Sequence, residues 1–367
     1  MGEEEIRAAS KSILSGSIRG HGEVGIKLQD FMKDLFSIKF VILTTSCTHA
    51  LELALMTLNI TEKDEVILPI FSFVSCATAI VRQGARPIFT DIEEEYLNID
   101  PRKIEERITE KTKAIMCIHY AGVGCQMREI LEIAKRYNLF IIEDAAHAIG
   151  SKYDGKYLGT IGDIGCFSFH ETKNVSCGEG GAFLTKDDTL AQRAEIIIEK
   201  GTNRLAFLRG EIDKYTWVDK GSSYVLSDIL AAVLFEQIKK MPSINKKREL
   251  IGMRYLEGLR KLEENGKIIL PKLNPDNNNW HIFYILVKAP ENRDRVISDL
   301  RERGIGASFH FLPLHLSPYA RKNYHYSESD FPITEMVSKS LIRLPIYPDL
   351  TEVEQEYIID SLYEILK

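Results

Sequence analysis

The chain has 367 residues, 44% of them hydrophobic and 27% charged, which is typical of a globular protein with a sizeable core. Its net charge is −6 and it has no dense block of lysine and arginine, which argues against a nucleic-acid partner. No apolar run is long enough to span a bilayer, and the acidic start MGEEEIRAASKSIL lacks a secretory core. The six cysteines form no C-x-x-C pair. We therefore expect a cytoplasmic protein with reduced thiols and no membrane partner.

Apolar runs alternate with helical patterns from about residue 40 to residue 185. The predicted strands are FVILTT (40–45), EVILPIF (65–71), RPIFTD (86–91), KAIMCIHY (113–120), LFIIED (139–144), GCFSFH (165–170) and GAFLT (181–185). Segments such as THALELALMTLN and MREILEIAKRYN between them have helical spacing. This alternation predicts βαβ units and an α/β fold with a large, mostly parallel sheet covered by helices.

A helical region at 226–263 leaves this sheet and is followed by the Asn- and Pro-rich segment PKLNPDNNNW. A second α/β pattern begins at HIFYILVKA. We therefore predict a large domain over residues 1–235 and a smaller C-terminal α/β domain over residues 236–367.

Polar side chains follow several of the predicted strands, at the edge where parallel sheets bind ligands. Ser46 and Thr48 follow the first strand, Asp144 ends the fifth, and Lys173 follows the sixth. Taken singly, the hydroxyls and Asp144 each have an ordinary explanation as helix caps. Taken together with Phe73, they offer a phosphate cradle, an acid, an aromatic face and a lysine. That combination fits pyridoxal phosphate.

Other motifs are weaker. GHGEVG at residues 20–25 spells a dinucleotide fingerprint, but no strand precedes it, and we interpret it as a loop. His310 and His315 lack the spacing and companions of a zinc site, so no metal is expected. The chain has no G-x-S-x-G nucleophile elbow, which argues against an α/β-hydrolase.

The stretch EDAAHAIGSKYDGKYLGTIGDIGCFSFHETKNVSCGEGGAF resembles the core signature of the DegT/DnrJ/EryC1/StrS family of nucleotide-sugar aminotransferases. The resemblance continues through TTSCTHALELAL and FHFLPLH, along nearly the whole chain. It implies the aspartate-aminotransferase-like fold (fold type I), pyridoxal 5'-phosphate as cofactor and a homodimer. SFHETKN and TNR…FLRG…DKYTW most resemble the branch that aminates C4 of dTDP-4-dehydro-6-deoxyglucose with L-glutamate as donor.

The resemblance implies a role for particular residues. Lys173 matches the Schiff-base lysine and Asp144 the partner of the pyridine nitrogen. The other positions matched to cofactor binding are Cys47, Thr48, Phe73, His147, Ser168 and Ser223. His310 and His315 match a segment that lines the sugar-nucleotide site, and Arg204 and Arg209 are candidates for its positive charge, with a surface role as the alternative.

Two departures from the family pattern stand out. Ser223 replaces an asparagine that reaches the phosphate from the second subunit, and the chain starts almost directly at the first helix, without an extended I-P-x-x-x-P-like segment.

Related alternatives are an enzyme acting on a 3-keto or a UDP- or GDP-linked sugar, a dehydratase of the same fold, and a non-catalytic regulator. Lys173 argues against the dehydratase, which has histidine there.

Overall fold

The computed structural model describes residues 1–273 and 277–367. The predicted Asn- and Pro-rich segment at 271–280 therefore lies partly outside the described residues. The helices are α1 (Glu3–Leu14), α2 (Glu23–Phe36), α3 (Cys47–Thr57), α4 (Val74–Arg82), α5 (Pro101–Glu105), α6 (Met127–Tyr137), α7 (Asp188–Ile198), α8 (Arg204–Leu208), α9 (Asp228–Glu264), α10 (Arg293–Glu302), α11 (Pro318–Asn323), α12 (Pro332–Ser340) and α13 (Glu352–Ile365). The strands are β1 (Phe40–Thr44), β2 (Glu65–Pro69), β3 (Arg86–Thr90), β4 (Thr112–Ile118), β5 (Phe140–Asp144), β6 (Lys152–Tyr153), β7 (Lys156–Tyr157), β8 (Ile164–Ser168), β9 (Gly181–Thr185), β10 (Ile268–Ile269), β11 (Phe283–Val287) and β12 (Leu341–Leu344).

The main sheet has the strand order β1-β9-β8-β5-β4-β2-β3. The neighbours from β8 through β3 run parallel, whereas β9 is antiparallel to both β8 and β1. All seven predicted strands are confirmed, with ends within two residues of those expected. Strands such as β2 and β8 are buried along their whole length because helices cover both faces, which explains their continuous apolar runs. The expected α/β fold with a large, mostly parallel sheet is confirmed.

A smaller antiparallel sheet, β10-β11-β12, follows later in the chain. It packs on the second half of α9, on α10 and on α13 around buried side chains such as Tyr255, Trp280 and Phe283. This hydrophobic core is separate from those of the main sheet. The division between residues 235 and 236 stays a prediction, and α9 runs through that point without a break.

The GHGEVG stretch is only partly a loop, contrary to the interpretation from sequence. Residues 20–22 form the loop, and Glu23 begins α2. Asp228, the first residue of α9, accepts hydrogen bonds from the backbone N–H groups of Val24 (3.1 Å) and Gly25 (3.0 Å). A carboxylate therefore occupies the helix N-terminus at which the phosphates of a dinucleotide would bind. The preceding element is a helix, as expected, and not a strand.

Glu143, the residue before Asp144, anchors the carboxyl end of β5. It accepts hydrogen bonds from His119 Nε2 (2.8 Å) and from the backbone N–H groups of Gly159 (2.8 Å), Ile161 (2.7 Å) and Gly162 (2.7 Å). The side chains of Glu143 and His119 are fully buried. The network fixes the strand end and the loop beside it, and so the position of the next residue.

Replacing Glu143 with alanine should lower the free energy of unfolding by about 3–5 kcal/mol, because it leaves the buried His119 and three buried or partly buried N–H groups without a partner. Urea denaturation at a fixed cofactor concentration measures the loss. Glu129→Ala on the exposed face of α6 is the control and should change stability by less than about 0.5 kcal/mol. Equal stability of the two variants would contradict the anchoring role.

Candidate active site

The carboxyl ends of the main-sheet strands border a cavity of about 370 Å³, and residues from the smaller sheet and its loops form the opposite wall. The cavity brings together the following residues predicted from sequence: Cys47, Thr48, Phe73, Asp144, His147, Ser168, Lys173 and His310. These residues are far apart in the sequence, and they meet here because the sheet edge collects the ends of strands that are distant along the chain. The carboxyl ends of these strands therefore lie around one cavity, as the sequence predicted.

Lys173 lies in the turn that joins β8 to β9. Its backbone N–H donates to the carbonyl oxygen of His170 (2.9 Å), which closes the turn, and its side chain enters the cavity. Burial lowers the pKa of Lys173, while the negative charge of Asp144 opposes the shift. A lysine with a lowered pKa loses its proton more readily, so its amine can act as a nucleophile or a base.

Asp144 is the last residue of β5 and is almost fully buried. Its carboxylate accepts hydrogen bonds from the backbone N–H of Ala146 (2.9 Å) and from the thiol of Cys76 (2.9 Å), and the Cys47 sulfur lies 3.9 Å away. No helix begins in the turns at residues 145–149. Asp144 therefore caps no helix there, and its charge is available to a cationic group in the cavity.

Rings line the cavity beside these groups. Phe73 is 58% exposed and so is not a core residue, and its ring lies 6.3 Å from that of Phe311. The ring of His147 is nearly parallel to Phe311, at 6.2 Å and 12°. Burial, together with the charge of Lys173, lowers the pKa of His147 well below its usual value. Its Nδ1 is buried without a hydrogen-bond partner in the described structure, which indicates a missing polar ligand.

The N-terminus of α3 also points to the cavity. Ser46 caps the helix with its side chain, and Cys47 and Thr48 in the first turn leave N–H groups without intrahelical partners. The Thr48 hydroxyl donates to Ser75 (2.8 Å). At Gly181 a Cβ would lie 2.4 Å from the backbone of Ser46, so only glycine allows β9 to approach this turn. Free N–H groups and hydroxyls at a helix N-terminus suit a phosphate.

Three candidate residues lie away from this cavity in the described chain. Ser223 is exposed and pairs through its backbone with Glu199. Arg204 Nη1 lies 3.3 Å from Glu199 Oε1, and Arg209 forms a salt bridge with Glu195 at 2.9 Å. Within one subunit these positions therefore do not contribute to the site.

His315 is also outside the cavity, although its neighbour in sequence His310 lines it. His315 is 2% exposed, and its Nε2 lies 3.3 Å from Glu335 Oε1. His310 instead pairs with the hydroxyl of Tyr120, which lies 2.8 Å from its Nδ1. Burial lowers the pKa of His310 to about 2, so its ring is neutral at physiological pH.

Sequence reasoning missed Arg343 and His281, which also line the cavity. Arg343 lies in the apolar strand β12, within SLIRLP, and an arginine inside such a run is the signal that could have identified it. His281 stands just before β11. The amide nitrogen of Asn174 donates to the carbonyl oxygen of Asn279, so the side-chain oxygen of Asn174 is the atom that accepts a hydrogen bond from His281 Nδ1 (2.9 Å).

The lining residues fit pyridoxal phosphate. They supply a lysine, a buried carboxylate, an unpartnered imidazole nitrogen, an exposed aromatic face and a helix N-terminus. The model of the DegT/DnrJ/EryC1/StrS aminotransferase family matches residues 1–363. The chain belongs to this family. It is accordingly a pyridoxal phosphate-dependent sugar aminotransferase, as the resemblance implied.

The chain also matches relatives and solved structures along nearly its whole length. The chain is 39% identical to the uncharacterized protein MJ1066 of Methanocaldococcus jannaschii, covering 100% of this chain and 96% of that protein. It is 35% identical to the spore coat polysaccharide biosynthesis protein SpsC of Bacillus subtilis, covering 100% and 95%. The structure of NtdA from Bacillus subtilis, with bound cofactor PMP, matches with 29% identity and a TM-score of 0.90, covering 99% of this chain and 81% of that one.

None of the helices in the described part of the chain combines the length and the apolar composition of a membrane-spanning segment.

Proposed function

We propose that this aminotransferase moves an amino group from L-glutamate to C4 of a nucleotide-linked 4-keto-6-deoxyhexose, with dTDP-4-dehydro-6-deoxyglucose as substrate. The observation that carries the sugar assignment is the block TNR…FLRG…DKYTW, which resembles the C4-aminating branch. The relative in Bacillus subtilis named for spore coat polysaccharide biosynthesis supports a carbohydrate product. Six free cysteines, five of them buried, support a reducing, cytoplasmic setting.

When bound, pyridoxal phosphate accepts the amino group of the donor and passes it to the keto carbon of the sugar. Lys173 Nζ would hold the cofactor covalently and, once free, would be the group that moves a proton at the donor Cα. Asp144 would keep the pyridine nitrogen protonated through its charge. Phe73 would offer its ring to the cofactor, and the N-terminus of α3 would hold the phosphate.

The substrate is tested by offering L-glutamate with dTDP-4-dehydro-6-deoxyglucose, with a 3-keto isomer and with a UDP-linked analogue. We expect amination of the dTDP-linked 4-keto sugar, identified by NMR of the product. Amination of the 3-keto sugar alone would contradict the C4 assignment. Preference for the UDP compound would overturn the nucleotide assignment. A protein that binds cofactor but aminates none of them would favour a regulator.

We further propose a homodimer whose active sites contain residues of both subunits. Ser223 stands where related enzymes contribute a residue to the partner's site, and it is exposed here, away from its own cavity. The same segment carries large exposed side chains, Tyr215 (50%) and Trp217 (79%), as expected for a surface that packs on another protein.

Sedimentation at micromolar concentration should show a dimer. A bulky Ser223→Arg substitution should lower activity, and mixing that variant with Lys173→Ala should restore part of it. The mixed dimer then has one site with both defects and one with none. A fully active monomer, or no recovery in mixed dimers whose formation has been verified, would refute shared sites.

A further inference from the structure

The thiol of Cys76 donates a hydrogen bond to the carboxylate of Asp144. Cys76 lies in the first turn of α4 and is fully buried, and its Sγ lies 2.9 Å from Asp144 Oδ2. The thiols of Cys125 and Cys177 instead donate to neutral backbone carbonyl oxygens at 3.2 Å. A shorter bond to a charged acceptor is the stronger kind of hydrogen bond, so the contribution of Cys76 goes beyond packing in the core.

Cys76 keeps its proton and acts toward Asp144 only as a donor. Burial is the main cause that raises the pKa of the Cys76 thiol well above its usual value, and the charge of Asp144 and the hydrogen bond to it add to the shift. A thiolate in this place would set two negative charges side by side away from water. The proton therefore stays on the sulfur and points to Asp144 Oδ2.

Two hydrogen bonds hold the two oxygens of the Asp144 carboxylate. Oδ1 accepts from the backbone N–H of Ala146 (2.9 Å), and Oδ2 accepts from Cys76 (2.9 Å). Because each bond holds a different oxygen, the two together fix the rotation of the carboxylate about its Cβ–Cγ bond. A carboxylate has about four lone-pair sites, so others stay free for a donor in the cavity that Asp144 lines.

Cys76 ties the carboxylate to a second element of the fold. Ala146 belongs to the same turn as Asp144 and moves with it, whereas Cys76 lies 68 positions away in the sequence, on α4. Phe73, which lines the cavity, directly precedes this helix. The first turn of α4 thus follows the aromatic side chain and carries the thiol that holds the acid.

These contacts indicate that Cys76 acts through Asp144. We propose that Cys76 is a positioning residue, whose thiol turns the Asp144 carboxylate so that a free lone pair faces the pyridine nitrogen of the bound cofactor. The proposal rests on the role proposed for Asp144. Without the thiol, one of the two bonds that fix the carboxylate is lost. The carboxylate can then rotate, which weakens its hold on the pyridine proton.

The test uses the holoenzyme with the variants Cys76→Ala and Cys76→Ser, and with Cys117→Ala as the control. Cys117 is equally buried but belongs to a different hydrophobic cluster. NMR of pyridoxal phosphate labelled at the ring nitrogen reports whether that nitrogen carries a proton. In Cys76→Ala the proton should be lost at a pH about 0.5–1 unit lower than in wild type, and the control should match wild type. Cys76→Ser keeps a donor and should recover part of the difference.

The kinetic effect should be shared by both halves of the reaction. Cys76→Ala should lower kcat/KM about 3- to 10-fold, by the same factor for L-glutamate and for the keto sugar, because both half-reactions use the same pyridine nitrogen. The control should leave both values unchanged.

Infrared spectroscopy adds a readout that needs neither turnover nor cofactor. The S–H stretching band of Cys76 is the wild-type band that is missing in Cys76→Ser. It should lie at a lower frequency than the bands of Cys125 and Cys177, because a hydrogen bond to a carboxylate weakens the S–H bond more than one to a neutral carbonyl.

A pyridine nitrogen that keeps its proton to a higher pH in Cys76→Ala would overturn the proposal, since the thiol would then only draw charge from Asp144. An unchanged titration, or a Cys76 band level with those of the other thiols, would do the same. Thermal melting identifies a variant that fails to fold. If Cys76→Ala does so, Cys76→Ser and the wild-type band decide. Asp144→Asn is the reference: if its titration also matches wild type, the role of Asp144 itself is wrong, and otherwise only that of Cys76.

Discussion

Lys173→Ala should abolish amino transfer, with a loss of at least about 10²–10⁴-fold, the usual contribution of a positioned acid–base group. The substitution removes both the covalent bond to the cofactor and the group that moves the proton. The loss of turnover should therefore lie at or above the upper end of this range. The cofactor should still bind weakly, because the cradle at α3, Asp144 and His147 remain. The measurements are steady-state turnover and the visible spectrum of the yellow wild type against the variant.

Peptide mapping makes this prediction specific. Borohydride reduction of the wild type should fix the cofactor to the peptide that contains residue 173. Lys186→Ala is the matched control, since Lys186 is exposed just beyond β9, and it should keep both colour and turnover. Label on a peptide without residue 173 would show that the lysine is wrongly assigned.

Asp144→Asn should lower turnover by at least about 10- to 100-fold while the protein stays folded. The amide keeps the shape and one oxygen that can accept from the N–H of Ala146, so the turn after β5 persists. The negative charge that holds a proton on the pyridine nitrogen is lost, and with it the electron-withdrawing power of the ring. Turnover and circular dichroism together separate the two effects.

Asp360→Asn, an exposed change on α13, serves as the control for altered net charge and should be neutral. Wild-type turnover in Asp144→Asn would mean that the carboxylate serves only the local turn. A collapse of the fold would instead assign Asp144 a structural role, because its hydrogen bonds to Ala146 and Cys76 would then be what matters.

The seven strands and the lysine at the sheet edge could be predicted from sequence. Strands covered by helices on both faces need apolar side chains in every position, so β2 and β8 stand out as continuous runs. The carboxyl ends of parallel strands lie at one edge, so Asp144 and Lys173 could be placed together before any contact was known.

Other features could not be judged from local pattern. His310 and His315 belong to one motif, yet only His310 lines the cavity, because His315 turns toward Glu335. Asp144 has the sequence context of a helix cap, and only the turns that follow it show that it caps none. The sequence also does not show whether a charged side chain is already paired. Arg204, for example, forms a salt bridge with Glu199.

The sequence by itself therefore determined the α/β fold, the order of its strands along the chain and the cofactor constellation at their ends, since these depend on periodicity and on motifs within one domain-sized stretch. Only the tertiary structure decided that His281, just before β11, and Arg343, in β12, line the same cavity as Lys173. That arrangement depends on how a second sheet packs against the first. Such packing is set by many contacts between residues far apart in the chain, and no local pattern records it.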